Sequence, residues 1–198
     1  MGALFCGVMF FFDFQIALRG EGESVHAVLD LFPDPVGVLI LLGGIFYLAS
    51  REKRFASLRV PVLVLLPCSV FITLKNTLFF SAFYTVDGTQ NGIGQASDIV
   101  MHLAKLVFLI LLLSVSAGTC RDREENLLAS RFVAARNLCV AQGVLMLAQR
   151  LLTLVLPETA KTVLGVLSLV AYLFWIALLW LCVITLVRMM LRLSLKTS

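Results

Sequence analysis

Long apolar runs alternate with short polar connectors along the whole chain. A helix needs about 20 apolar residues to cross a hydrocarbon core of about 30 Å, and several of the runs reach or approach that length. The pattern predicts six membrane-spanning helices, at residues 2–18, 33–50, 60–86, 98–118, 134–156 and 161–187. We therefore expect an all-α fold, a single bundle of transmembrane helices that uses the whole chain from residue 1 to residue 198.

The composition supports the membrane assignment. Hydrophobic residues make up 60% of the chain and charged residues 14%, whereas soluble domains have roughly a half and a quarter. The five cysteines are dispersed without a C-x-x-C pair and there are two histidines, so we expect no metal, no cofactor and no disulfide framework. The first basic residue is Arg19, and without a basic region before the first apolar run we expect no cleavable signal peptide.

Basic residues lie mainly on alternate connectors. Eleven of the sixteen lysines and arginines follow spans two, four and six, and only Arg19 and Lys161 lie on the other connectors. The positive-inside rule then predicts that both termini are cytoplasmic. This asymmetry accounts for the net charge of +4, so the expected environment is the bilayer and no nucleic-acid partner is indicated.

Three connecting segments have distinct sequences. Residues 87–97, DGTQNGIGQAS, consist of turn-forming residues and predict a loop. Residues 119–133 carry both signs of charge and predict a solvated helical turn along the membrane surface. The second span opens with Asp34 and Pro35, which suit the N-cap and the first position of a helix.

Several polar and charged residues fall inside the spans or at their ends. Insertion scales put the cost of a charge at the centre of a span at about 2.5–3.5 kcal/mol, which makes each one a candidate for function. Their positions predict that they line the outer mouth of the bundle and do not form a path across it. Asp98, His102 and Lys105 have the i, i+4, i+7 spacing of one helix face. The candidate ligand-binding residues are Asp13, Asp34, Lys75, Asn76, Asp98, His102, Lys105, Gln149 and Arg150.

Three functions are compatible with these residues. In the leading hypothesis they form a pocket for a small polar or anionic solute, and the protein binds that solute or helps to transport it, with loop 87–97 as a lid. In the alternative the opposite charges pair to fix the helices, and the protein is a non-catalytic accessory or assembly protein of another membrane protein. The third hypothesis is an intramembrane enzyme using Asp98 and His102, but no known catalytic motif accompanies them.

Two short elements near the amino terminus carry a resemblance. The chain resembles a family of small bacterial polytopic membrane proteins that have an F-x-D-F element in the first helix and an L-x-P-D-F-I-G-Y element at the second. The likeness covers about the first third of the chain and departs at Pro35 and Val38, where the family has phenylalanine and tyrosine. It implies a bacterial cytoplasmic membrane and no particular chemistry, because the family has no assigned activity. The matching residues are Phe11, Asp13, Phe14, Leu31, Pro33, Asp34 and Gly37.

Overall fold

The structure is a computed structural model that describes residues 2–11, 15–19, 25–30, 34–85, 90–155 and 161–195. The chain forms two compact units, Met1–Phe108 and Leu109–Ser198. Two short strands, β1 (Gln15–Arg19) and β2 (Val25–Asp30), and a 3-10 helix at Lys53–Leu58 accompany the α-helices. The helices are α1 (Gly2–Met9), α2 (Asp34–Arg51), α3 (Arg59–Asn76), α4 (Phe80–Phe83), α5 (Gly92–Asp122), α6 (Asn126–Val155) and α7 (Lys161–Leu195).

Helix is the dominant structure of the described residues, which confirms the membrane-helix character of the fold. Within those residues, five helical segments are long and apolar enough to cross a membrane, and they correspond to predicted spans two to six. The single domain and the cytoplasmic position of both termini stay predictions. The five segments are Asp34–Arg51, Lys53–Asn76, Gly92–Asp122, Asn126–Gln149 and Gly165–Met189.

The prediction of a first span over residues 2–18 is wrong. Helix α1 ends at Met9 and the chain is already a β-strand at Gln15. Eight helical residues rise only about 12 Å, well short of a hydrocarbon core. The apolar run is real, but a hydropathy pattern does not distinguish one helix from a short helix followed by a strand.

Strands β1 and β2 pair antiparallel as a hairpin, with Gln15 opposite Asp30 and Leu18 opposite Ala27. Strand β2 lies against α3 and α4. The open edges of a two-stranded sheet cannot be satisfied in hydrocarbon, so this end of the first unit belongs at the membrane–water interface. Helix α2 begins four residues after β2, which places its first turn next to that interface.

Glycines bring α1 close to α2. A Cβ atom added at Gly44 would come within 2.8 Å of Ala3 Cβ, and one added at Gly7 within 2.9 Å of the Gly37 carbonyl oxygen. A Cβ added at Gly37 would collide with Phe10. The two helices can therefore approach this closely only with glycine at these positions.

The third predicted span ends earlier than expected. Helix α3 stops at Asn76, and Thr77 to Phe79 form a turn before the four-residue helix α4. Pro61 lies in the first turn of α3, where a missing N–H costs little, and Pro67 lies inside the helix. The early end places Lys75 in the last turn of α3, and not near the middle of a long helix.

The charged connector at residues 119–133 is a tight turn between two long helices and not a separate surface element. The Glu124 N–H donates to the Arg121 carbonyl at 3.0 Å, and the Glu125 N–H donates to the Cys120 carbonyl at 2.9 Å. Glu124 has a φ of 63°. This bonding pattern and a left-handed residue are those of a Schellman helix end, in which glycine is the usual residue at the position of Glu124.

In the second unit, α6 packs against α7. The side-chain amide of Gln142, which is 2% exposed, donates to the Ala171 carbonyl at 3.2 Å. Cys139 on α6 and Cys182 on α7 are both fully buried. Cys120 is also buried, whereas Cys6 is exposed.

Candidate functional site

A buried lysine meets a carboxylate where α3 ends and α5 begins. Lys75 is fully buried, and its Nζ forms an ion pair with Asp98 Oδ1, while the Asp98 side chain is 36% exposed. Lys75 Nζ also donates to the Gly94 carbonyl at 3.4 Å. Because Gly94 and Asp98 are four residues apart, they lie one turn apart on the same face of α5. The lysine therefore docks the end of α3 onto that face.

Amide and phenol groups extend this ion pair into a network. The Gln90 side-chain amide donates to Asp98 Oδ2 at 2.6 Å and lies 2.8 Å from the Tyr84 hydroxyl. The Tyr84 hydroxyl donates to Asn76 Oδ1 at 2.7 Å. We call Lys75, Asn76, Tyr84, Gln90 and Asp98 the polar cluster. Each of its five side chains makes at least one polar contact with another member, so the cluster behaves as one connected unit.

Tyr84 also contributes its ring. Lys75 Nζ lies 5.7 Å from the centre of that ring, within the range of a cation–π contact. The ring stacks on Phe80 with 4.1 Å between centroids. Burial raises the pKa of the Tyr84 hydroxyl above its ordinary value; the hydrogen bond with Gln90 lowers it, and the negative charge of Asp98 raises it. The hydroxyl is therefore neutral at physiological pH and can donate its proton to Asn76.

The first turn of α5 is fixed by local hydrogen bonds. Asn91 Oδ1 accepts from the Gly94 N–H at 2.9 Å, as an N-cap side chain does. The Asn91 side-chain amide donates to the Ala82 carbonyl at 2.8 Å, and its backbone N–H donates to the Phe83 carbonyl at 2.9 Å. These bonds hold α4 against the start of α5, which sets the position of Asp98 relative to Lys75.

A second ion pair lies deeper along the same helix. Lys105 Nζ is 2.9 Å from Asp34 Oδ2, and the two side chains are 2% and 4% exposed. Lys105 Nζ also lies 5.6 Å from the centre of the Phe11 ring, which contacts Phe108 edge to face. Lys105 and Asp98 are seven residues apart, about 10 Å along the helix axis. The polar stripe predicted for α5 therefore carries two ion pairs.

The candidate residues are not all gathered at one place. Lys75, Asn76 and Asp98 belong to the polar cluster, Asp34 and Lys105 form the second pair, and half-buried His102 lies on α5 between the two. Gln149 is in the second unit, where its amide donates to Ser168 of α7. Asp13 lies outside the described residues, and of Arg150 the structure describes only the helical backbone.

Each of these two buried lysines has its own carboxylate: Asp98 pairs with Lys75, and Asp34 pairs with Lys105. One expectation about this region is wrong. The predicted loop 87–97 is shorter, because α5 already begins at Gly92. Residues 92–97 are helical and cannot act as a mobile lid; residues 86–89 lie outside the described part of the chain.

Tyr84 and Gln90 belong to the polar cluster but were missed as candidates. A tyrosine within an aromatic run and a glutamine within a turn-forming segment carry little signal by themselves. The usable clue is that both lie in the stretch joining Lys75 and Asp98, two charges within predicted spans, and charges placed there need hydrogen-bonding partners when they leave water.

The polar cluster contains amide, phenol and carboxylate groups, and the positive charge of its one lysine, Lys75, is balanced by Asp98. Among the described residues no group of three or more histidine, cysteine or acidic side chains could hold a metal ion. Compared with protein-family models, curated proteins and solved structures, the chain matches none.

Proposed function

We propose that the protein is a non-catalytic accessory or assembly protein of the membrane, whose buried ion pairs hold its own helices in position. The observation that carries this proposal is that the two lysines buried in the described part of the chain, Lys75 and Lys105, are already paired with carboxylates. A lysine that serves a ligand keeps a free hydrogen-bonding position for it, whereas these two are closed by groups of the same chain. The partner would then be another membrane protein that contacts the apolar outer faces of the helices.

Replacing a whole ion pair tests this proposal. The double variant Asp34→Leu with Lys105→Met removes the charges but keeps the volume, which for buried pairs is often neutral or stabilising. We expect it to fold, and to elute from gentle detergent extraction in a complex of the same size as the parent. A well-folded double variant that loses its complex would show that the charges serve binding and would contradict the structural role.

A solute-binding role is the second candidate, and the exposure of Asp98 favours it. The Asp98 side chain is 36% exposed although its partner Lys75 is fully buried, so one face of the polar cluster is open to water. An anionic solute would have to displace Asp98 from Lys75, so the cluster suits a small neutral polar solute with hydrogen-bond donors better. Such a protein would bind its solute at the interface, for uptake or for sensing.

Thermal-shift measurements across a panel of amides, amino acids, polyols and vitamins test the second candidate. A true ligand raises the unfolding temperature of the parent, and Asp98→Asn should abolish that rise. Gln149→Leu is a suitable control, because Gln149 bonds within the second unit. No stabilisation by any member of the panel, together with an intact hetero-complex, would leave the accessory role as the better account.

A further inference from the structure

A compact group of basic residues lies at the opposite end of the first unit from the polar cluster. Helix α2 ends at Arg51, the 3-10 helix covers Lys53–Leu58, and α3 starts at Arg59. This stretch has four basic side chains and one acidic one, Glu52, which is a net charge of +3. We call residues 51–59 the basic corner. It is the connector that the charge pattern predicts to be cytoplasmic.

Two of these arginines are held against aromatic rings of α2. The Arg51 guanidinium carbon lies 4.9 Å from the centre of the Tyr47 ring, and that of Arg59 lies 5.0 Å from the centre of the Phe46 ring. Phe46 and Tyr47 are 44% and 56% exposed. On a membrane helix such exposed rings face lipid, and a tyrosine near the helix end belongs at headgroup level. The rings therefore place both guanidinium groups beside lipid headgroups.

The side chain of Arg59 is half-buried and makes no hydrogen bond with the described residues, its buried Nε included. Within the described part of the chain, no carboxylate forms an ion pair with the side chain of Arg51, Lys53 or Arg59. A guanidinium is the side chain best suited to bind a phosphate through several donors at once. The basic corner thus contains an arginine, Arg59, whose guanidinium is oriented by the Phe46 ring and whose charge is not neutralised by a carboxylate.

The 3-10 helix gives the basic corner a fixed shape. Phe55 and Leu58 are 1% and 0% exposed and anchor the segment to the unit, whereas Lys53 and Arg54 are exposed. A rigid turn with apolar residues inside and basic residues outside lies along the membrane surface and does not extend into water. Clusters of basic residues immediately beside a transmembrane helix are suited to anionic lipids.

We propose that the basic corner binds the phosphodiester headgroup of an anionic phospholipid, with Arg59 contacting the phosphate. A lipid is the source that fits, because the rings that orient the guanidinium groups are exposed on the lipid-facing side of α2. A soluble phosphate would meet the same donors but would gain nothing from Phe46 and Tyr47. This binding is independent of the proposed function and of the polar cluster.

The test compares phosphatidylglycerol with phosphatidylcholine for the full chain in nanodiscs and in detergent, with thermal stabilisation and native mass spectrometry as readouts. Arg59→Gln and Lys53→Gln each remove one positive charge from the same nine residues. Loss of general attraction alone should weaken phosphatidylglycerol binding about five-fold in each. Loss of charge-assisted hydrogen bonds should weaken it roughly ten-fold further in Arg59→Gln only.

Three further measurements decide the remaining points. Arg59→Lys keeps the charge and should still lose most of the additional ten-fold, whereas Lys53→Arg should bind like the parent; this pair also decides the matter if Arg59→Gln fails to fold. Inorganic phosphate and glycerol phosphate should give no stabilisation. Equal losses in Arg59→Gln and Lys53→Gln, parent-like binding by Arg59→Lys, or equal stabilisation by free phosphate would each overturn the proposal.

Discussion

The two ion pairs on α5 have the same chemistry and opposite surroundings. Lys105 and Asp34 are 2% and 4% exposed, so both charges have left water. Lys75 is fully buried, but the side chain of its partner Asp98 is 36% exposed. The two pairs lie about two helical turns apart. We call Lys105–Asp34 the dry pair and Lys75–Asp98 the wet pair.

The two pairs differ in the other groups that contact each charged side chain. In the dry pair Lys105 has the Phe11 ring and Asp34 has the first turn of α2, whose free N–H groups favour a negative charge. In the wet pair Asp98 also receives a hydrogen bond from Gln90, and its side chain is 36% exposed. Breaking the dry pair leaves a charge where neither side chain is more than 4% exposed. In the wet pair Asp98 is partly exposed, and the buried Lys75 keeps the Gly94 carbonyl as a partner.

The largest predicted effect is therefore at the dry pair. Asp34→Asn leaves Lys105 charged and buried without its carboxylate, and breaking a buried pair in this way costs about 3–5 kcal/mol. The free energy of unfolding in mixed detergent micelles measures the loss. Asp34→Leu with Lys105→Met should recover most of it, and a double variant as unstable as Asp34→Asn would show that the pair is not the cause.

The same substitution at the wet pair should cost less. Asp98→Asn keeps the hydrogen bond with Gln90 within reach and leaves Lys75 Nζ 3.4 Å from the Gly94 carbonyl. We expect a loss of about 1–2 kcal/mol, between the value of an exposed pair and that of a buried one. The measurement is the same unfolding experiment. An equal loss for Asp98→Asn and Asp34→Asn would remove the distinction between wet and dry.

The sequence predicts the helix that carries both pairs but not the pairing itself. The spacing of Asp98 and Lys105 identifies one face of α5, and the cost of buried charge identifies both as candidates. Which carboxylate meets which lysine depends on where α3 ends. Thr77 to Tyr84 continue the apolar run beyond Asn76 without a glycine or proline, so hydropathy extends the helix and misplaces Lys75.

The hairpin was missed for a similar reason. Residues 15–19 and 25–30 are short, largely apolar stretches separated by Gly20-Glu21-Gly22-Glu23-Ser24, which is a recognisable hairpin signal. The preceding run of phenylalanines made a membrane helix look long enough to include the first of these stretches. The charge of Asp13 inside the supposed span, with Arg19 directly after its end, was the available warning.

Tyr84 connects the wet pair to α3, and removing its hydroxyl tests the network. Tyr84→Phe keeps the ring beside Lys75 but loses the hydrogen bond to Asn76, which should cost about 0.5–1.5 kcal/mol. The free energy of unfolding of this variant and of Tyr172→Phe, a control in the second unit, measures the contribution. A loss no larger than that of the control would show that Tyr84 acts through its ring alone.

Because the pKa of Tyr84 is raised in the folded protein, the stabilisation that its hydroxyl provides depends on pH. Its hydroxyl is harder to ionise in the folded protein than in the unfolded chain, whose value is about 10. The stabilisation is thus complete below about pH 10 and is lost as the pH rises through the folded value. Tyrosinate absorbance measured against pH should show a late-titrating component that is absent in Tyr84→Phe. Parent and Tyr84→Phe curves that differ only by a component near pH 10 would contradict the burial of this hydroxyl.

The smallest effect that separates the two pairs is their response to salt. Screening shortens from about 30 Å at 0.01 M to about 3 Å at 1 M and acts mainly on charges in contact with water. A double-mutant cycle for Lys75 and Asp98 should therefore lose a few tenths of a kcal/mol of coupling energy between these salt concentrations. The cycle for Lys105 and Asp34 should not change, because neither side chain is exposed by more than 4%. Equal salt dependence in both cycles would mean that water reaches the dry pair, and the 36% exposure of Asp98 would then not be what distinguishes the two sites.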